Sequence, residues 1–189
     1  RGVLRVCEDL YDLNSYSRVL VISIGKAAHS MVTSLEMQAG SRFEGMVAAP
    51  VDPPSQVRGF RYFRGGHPLP NSESIRAAEA MLKSLQAQNA GSLVLFLLSG
   101  GGSSIAEKPV DDEISLEDLV TTYRALVNSG APIAEINAIR KHISAVKGGR
   151  LARAVEQIAP RSQQVSIMIS DVPENSLDVM LEGFRRAAT

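Results

Sequence analysis

Six consecutive apolar residues, Leu93 to Leu98, stop abruptly at Ser99-Gly100-Gly101-Gly102-Ser103-Ser104. The run is too short for a helix of its own, and its lack of polar alternation requires burial on both faces. It therefore predicts a central parallel strand. The loop behind it has no side chain larger than a hydroxymethyl. Glycines let a backbone come close to a ligand, and successive N–H groups can surround an anion. A helix starting near Ser103 would aim its positive end at the same point. A merely flexible Gly/Ser turn is the alternative. Three glycines directly after a buried strand favour the anion site.

Two other segments repeat the pattern. Arg18–Ile24 is β-branched and nearly continuous in hydrophobicity, ends at Gly25-Lys26, and predicts a buried strand followed by a helix over 26–37. Gln164–Ile169 predicts a third strongly buried strand that delivers Ser170-Asp171. Between them, Glu44–Ala49 and Phe60–Arg64 predict strands, with Pro50, Pro53 and Pro54 enforcing a loop. Asn71 or Ser72 can cap a helix over 73–88. Ser115, with Asp118 three residues on, caps another that runs to about Asn128. Residues 1–17 are compatible with the end of a helix turning at Asn14-Ser15. Pro132 opens a helix whose apolar side is Ile133, Ile136, Ile139, Ile143 and Val146, with Asn137, Arg140, Lys141 and Ser144 opposite. Lys147-Gly148-Gly149-Arg150 interrupts it and extends a cationic edge. Strands alternating with helices predict an α/β fold: a Rossmann-like three-layer α/β/α sandwich with a mainly parallel sheet, residues 1–189 forming one domain.

Composition narrows the functional classes. The 189 residues carry 20 basic and 20 acidic groups, so the footprint expected of a nucleic-acid binder is missing. No apolar run approaches the roughly 20 residues needed to span a bilayer. A single cysteine, Cys7, excludes an internal disulfide framework and suits a reducing compartment. It reads as a buried structural thiol. With no signal peptide visible, a cytoplasmic protein is expected. Self-association is compatible with the sequence, which does not indicate it.

In a doubly wound sheet, ligands bind beyond the carboxyl ends of the strands. Gly25-Lys26, Ser99–Ser104 and Ser170-Asp171 should therefore share one rim: one ammonium, one set of backbone donors and one carboxylate. That combination suits phosphoryl transfer. Each residue also has a plainer reading. Lys26 could be a solvated lysine at a helix start, although its charge opposes the helix dipole there. His67, between glycines and prolines, could pack a loop, Asn137, Arg140 and Lys141 could form a wet helix face, and Asp171 could cap a turn. GxxxxGK[ST], GxGxxG, HExxH, CxxC and GxSxG are all missing, which argues against a P-loop NTPase, a dinucleotide-fingerprint dehydrogenase, a zinc site and a hydrolase elbow.

Taken in order, Ile24-Gly25-Lys26-Ala27-Ala28, Gly65-Gly66-His67-Pro68-Leu69-Pro70, Leu98–Ser104, Ile136-Asn137-Ala138-Ile139-Arg140-Lys141-His142, Lys147-Gly148-Gly149-Arg150-Leu151 and Ile169-Ser170-Asp171-Val172 resemble the glycerate 2-kinase (MOFRL) family. The resemblance implies phosphorylation of D-glycerate to 2-phosphoglycerate by ATP with Mg²⁺, in a cleft between this domain and a second one absent from these residues. It further implies a catalytic, phosphate-neutralising Lys26 and a phosphate loop of Ser99, Gly100, Gly101, Gly102, Ser103 and Ser104, with His67 nearby. Asn137, Arg140, Lys141 and Lys147 would contact substrate carboxylate or nucleotide phosphate, and Asp171 would serve catalysis and metal. After Val172 the chain departs from the family: Glu174 and Asn175 stand where glycine and aspartate are usual, and the serine-glycine-proline turn is not recognisable. A non-catalytic binding domain for a phosphorylated small acid or sugar phosphate is the alternative expectation.

Overall fold

A computed structural model describes residues 2–40, 43–158 and 162–169; Ser170, Asp171 and the divergent 173–184 segment lie outside them. The chain opens with an antiparallel hairpin of β1 (Val3–Val6) and β2 (Asp9–Asp12), then a 3₁₀ turn over Leu13–Ser15. This corrects the expected helix end. Cys7 turns the hairpin at φ +53° and is exposed, not a buried thiol. Leu4 points into the core while Leu10 is 69% exposed, so the hairpin buries one side of a short two-stranded ribbon.

The sheet that follows holds β3 (Arg18–Ile24), β4 (Glu44–Ala49), β5 (Phe60–Arg64), β6 (Ser92–Ser99) and β7 (Gln163–Ile169). Every pairing is parallel, and the spatial order is β5-β4-β3-β6-β7. The helices are α1 (Ala28–Ala39), α2 (Ser72–Gln86), α3 (Gly102–Ile105), α4 (Leu116–Asn128), α5 (Ile133–Ile143) and α6 (Arg150–Ile158). Strand side chains alternate between two cores. Leu20, Ile22, Ile24, Val94, Phe96 and Leu98 pack with Ala77, Ala78, Met81 and Leu85 of α2 and Leu151 of α6. Val19, Val21, Leu93, Leu95 and Leu97 pack with Met31, Val32 and Leu35 of α1 and with Leu4 of the hairpin. Both faces of the sheet are therefore covered, as continuous apolar strands require. Each fully buried Leu or Ile contributes about 1.5–3 kcal/mol of transfer free energy.

The chain builds outward from β3 through β4 to β5, then returns past β3 to add β6 and β7. Direction reverses between β3 and β6, which run in register from Arg18↔Ser92 to Ile24↔Leu98. Such a reversal leaves a crevice at the carboxyl ends of the two strands.

Both expected caps are present. Asn71 and Ser74 form a capping box on α2, and Ser115 and Asp118 form one on α4. The hydrogen bonds from Ser115 hold the Asp118 carboxyl below its ordinary pKa.

Two expectations about burial are corrected. β7 is an edge strand with one neighbour among the described residues, and only Val165 is buried, while Met168 and Ile169 are 36% and 52% exposed. A run of apolar residues does not by itself distinguish the centre of a sheet from its edge. In α5 the faces are reversed in part: Asn137 is buried with Ile136, whereas Ile133 and Ile139 are exposed. The reason lies in the partners that the rest of the fold offers.

Candidate phosphate-binding site

The crevice is closed at its base by the strand ends themselves. Gly25 stands at φ +128°, and a Cβ there would lie 2.2 Å from Ser99 Oγ and 2.5 Å from the Ser99 carbonyl oxygen. Only glycine fits. Its absent side chain lets the two turns join: Lys26 N–H donates to the Gly100 carbonyl at 2.9 Å, and Ala27 N–H donates to Ser99 Oγ at 3.0 Å. Two residues before Gly25, Ser23 Oγ donates to the Ala28 carbonyl at 2.9 Å and fastens the start of α1 to β3.

Gly101 then reverses the chain at φ +85° and precedes the short helix α3. The N–H groups of Gly102 and Ser103, at the start of that helix, have no partner among the described residues. Ser104 N–H returns to the Gly101 carbonyl at 3.3 Å. Ser103 is exposed and Ser104 buried. His67 comes from the loop after β5 and precedes a cis peptide to Pro68, and its Nδ1 lies 3.3 Å from Ser104 Oγ. Its ring packs so close to Gly101 that a Cβ there would sit 3.3 Å from it. The structure thus brings together Lys26, Ser99–Ser104 and His67, with the Lys26 side chain exposed at the rim. Two N–H donors without a partner among the described residues, an exposed ammonium and an exposed imidazole can hold a phosphate.

Asp171 lies outside the described residues. Among those described, no three His, Cys, Asp or Glu side chains converge as a metal site would require. The described rim residues Lys26, His67 and Ser99–Ser104 include no carboxylate.

The remaining candidates gather elsewhere, around a residue that sequence reasoning missed. Glu107 follows α3 by two residues and is completely buried. Its carboxylate forms an ion pair with Lys147 and accepts from Tyr123 OH at 2.6 Å, Ser144 Oγ at 2.5 Å and its neighbour's N–H, that of Lys108, at 3.0 Å. Lys147 is therefore buried and turned inward, and Arg150 donates to the Lys141, His142 and Ser144 carbonyls at the end of α5. The expected cationic edge is an internal clasp. Arg140 lies with Cζ 4.4 Å over the Tyr123 ring, and Lys141 is half-buried. Burial raises the Tyr123 phenol above its ordinary pKa, against an opposing pull from Arg140. Residues 107–110 pair with 143–146: Val110 N–H reaches the Ile143 carbonyl at 3.0 Å and Ala145 N–H the Lys108 carbonyl at 2.8 Å. This second cluster thus continues directly from the glycine loop. One signal could have revealed it, a lone acidic residue between Ile105-Ala106 and Pro109.

Comparison with known proteins agrees with the fold. The D-glycerate 2-kinase of Thermotoga maritima is 38% identical over 180 residues, covering 94% of this chain and 42% of its own length. A relative from Agrobacterium vitis named as a hydroxypyruvate reductase is 36% identical, with 82% of this chain and 35% of that protein covered. The chain thus spans under half the length of the relatives it matches. A crystal structure of the Thermotoga maritima glycerate kinase superposes with a TM-score of 0.78 at 37% identity, over 88% of this chain and 39% of the other. The family model described as "Domain of unknown function (DUF4147)" matches residues 3–183, and the chain belongs to that family.

Proposed function

We propose that this chain is the phosphate-binding, Rossmann-like part of a glycerate 2-kinase, which transfers the γ-phosphoryl group of ATP to the 2-hydroxyl of D-glycerate. The observation that carries the reading is the joining of Gly25-Lys26 to Ser99-Gly100 at the β3/β6 crevice, beside Gly102 and Ser103 N–H groups that have no hydrogen-bond partner among the described residues. Those donors would cradle a phosphoryl group, and Lys26 would neutralise charge on the oxygens that gain it. The acceptor oxygen attacks phosphorus, the bond to ADP breaks, and the hydroxyl proton passes to a base. Asp171, assigned from the family resemblance, is the proposed base. Mg²⁺, when bound with the nucleotide, would offset phosphate charge; Asp171 is the residue proposed to reach it. Arg140 and Lys141 would meet the acid group of the acceptor. Lys147 and Asn137, both buried, would support them. A cytoplasmic location is proposed with this activity, and the single cysteine suits a reducing compartment.

In a second reading, favoured by the departure from the family pattern after Val172, these residues bind a phosphorylated acid and do not turn it over. Nucleotide consumption with glycerate separates the two. The kinase reading expects ATP-dependent formation of 2-phosphoglycerate that Lys26→Ala reduces by about 10²-fold or more, as loss of a transition-state charge partner does. Unchanged turnover in Lys26→Ala contradicts it, and binding of 2-phosphoglycerate without turnover supports the second reading. A nicotinamide-dependent reductase is disfavoured by the missing GxGxxG turn.

A further inference from the structure

We propose that Tyr123, held by the buried Glu107–Lys147 pair, is a positioning residue that fixes the Arg140 guanidinium for the carboxylate of the acceptor; this rests on the kinase reading above. Arginine suits a carboxylate because its planar fork matches the two oxygens, but its long side chain must first be ordered. The Arg140 Nε is buried with no hydrogen-bond partner among the described residues, so that atom gives no anchor. What orders the group is the Tyr123 ring, 4.4 Å beneath it.

The ring is fixed in turn. Tyr123 is 2% exposed, its hydroxyl donates to Glu107 at 2.6 Å, and Lys147 Nζ lies 3.4 Å from that hydroxyl. Glu107 is immobilised by Lys147, Ser144 and the Lys108 N–H. It also follows closely on Ser103-Ser104. One carboxylate therefore ties the phosphate loop, α4 and the α5–α6 connection to a common point, and the stack passes that order to Arg140. Cation–π attraction of this kind strengthens where water is excluded.

Two measurements test the chain of contacts. In the first, the Arg140 Nε–Hε resonance of ¹⁵N-labelled protein is expected upfield, shifted by the ring beneath it, and slow to exchange. Tyr123→Leu should return it to the range of a free arginine, and Glu107→Gln should displace it. An Arg140 resonance unchanged in Tyr123→Leu overturns the proposal. If that variant does not fold, Tyr123→Phe, which keeps the ring and loses the hydroxyl bond to Glu107, must still displace the resonance. In the second, Tyr123→Leu and Arg140→Lys should each raise KM for glycerate about tenfold with kcat within threefold, and the double variant should be no worse than the poorer single one. Multiplied effects would mean that Tyr123 does not act through Arg140. Absence of glycerate turnover in the unmutated protein would fail the kinase reading, while the resonance still decides the positioning.

Discussion

The N–H of Lys26 donates to the carbonyl of Gly100 across 2.9 Å, joining the ends of two strands that are neighbours in the sheet and far apart in sequence. This bond sets the position of Lys26 relative to the glycine loop without using the lysine side chain. The Lys26 side chain is exposed at the rim, and the turn that carries it is tied to the end of the neighbouring strand.

That arrangement makes Gly25 the most sensitive backbone position at the rim. Gly25→Ala must place a Cβ 2.2 Å from Ser99 Oγ at φ +128°, a conformation that L side chains rarely adopt. Strain and displacement together should cost about 2–4 kcal/mol. Urea unfolding will measure it, and a loss below 0.5 kcal/mol would show that the two turns are not locked.

Ser99→Ala removes the acceptor for Ala27 N–H while leaving the strand intact. The expected loss is about 1 kcal/mol in the same unfolding measurement. Phosphate affinity should fall with it, because the Gly25–Ala27 turn loosens. Unaltered stability and affinity would assign Ser99 no part in joining the turns.

The Glu107–Lys147 pair is wholly buried, so breaking it strands a charge. Glu107→Gln and Lys147→Met should each destabilise by about 3–5 kcal/mol, and the double variant by less than the sum of the two. Additive losses in equilibrium unfolding would mean that the pair does not act as a unit.

Burial raises the Tyr123 pKa in the folded state. The folded protein thus holds this proton more tightly than the unfolded chain, so the associated stability is complete below the ordinary value of 10.0 and is lost as pH rises through the raised one. Phenolate absorbance at 295 nm should show a step above pH 10 that Tyr123→Phe removes. A Tyr123 step at or below pH 10 would contradict its burial against Glu107.

Much of this was legible in the chain because the sheet is buried on both faces. Leu93–Leu98 has no polar position to misplace and Val19–Ile24 has only the small, buried Ser23, so their strands and the glycine turns behind them follow from composition and order alone. The Asn71 and Ser115 caps are local and were equally readable. What failed depended on distant partners. The polar side of α5 turns partly inward because Glu107 and Tyr123 wait there, and no periodicity within residues 133–146 reports that. β7 carries apolar residues over Ile167–Ile169 as β6 does over Leu93–Leu98, but has a single neighbour among the described residues. The first hairpin is two four-residue strands about a positive-φ cysteine, too short for its period to separate strand from helix. At the site, Lys26, His67 and the glycine loop come together, while Lys147 is buried against a carboxylate whose importance only the fold reveals.

The most direct test of the central claim is a titration of ¹⁵N-labelled protein with 2-phosphoglycerate, followed through backbone amides. The β3/β6 crevice predicts shifts centred on Gly102 and Ser103 and extending to Lys26 and His67, with affinity falling at least tenfold in Lys26→Ala. Saturable binding that leaves those amides unmoved, or is indifferent to Lys26→Ala, would contradict it.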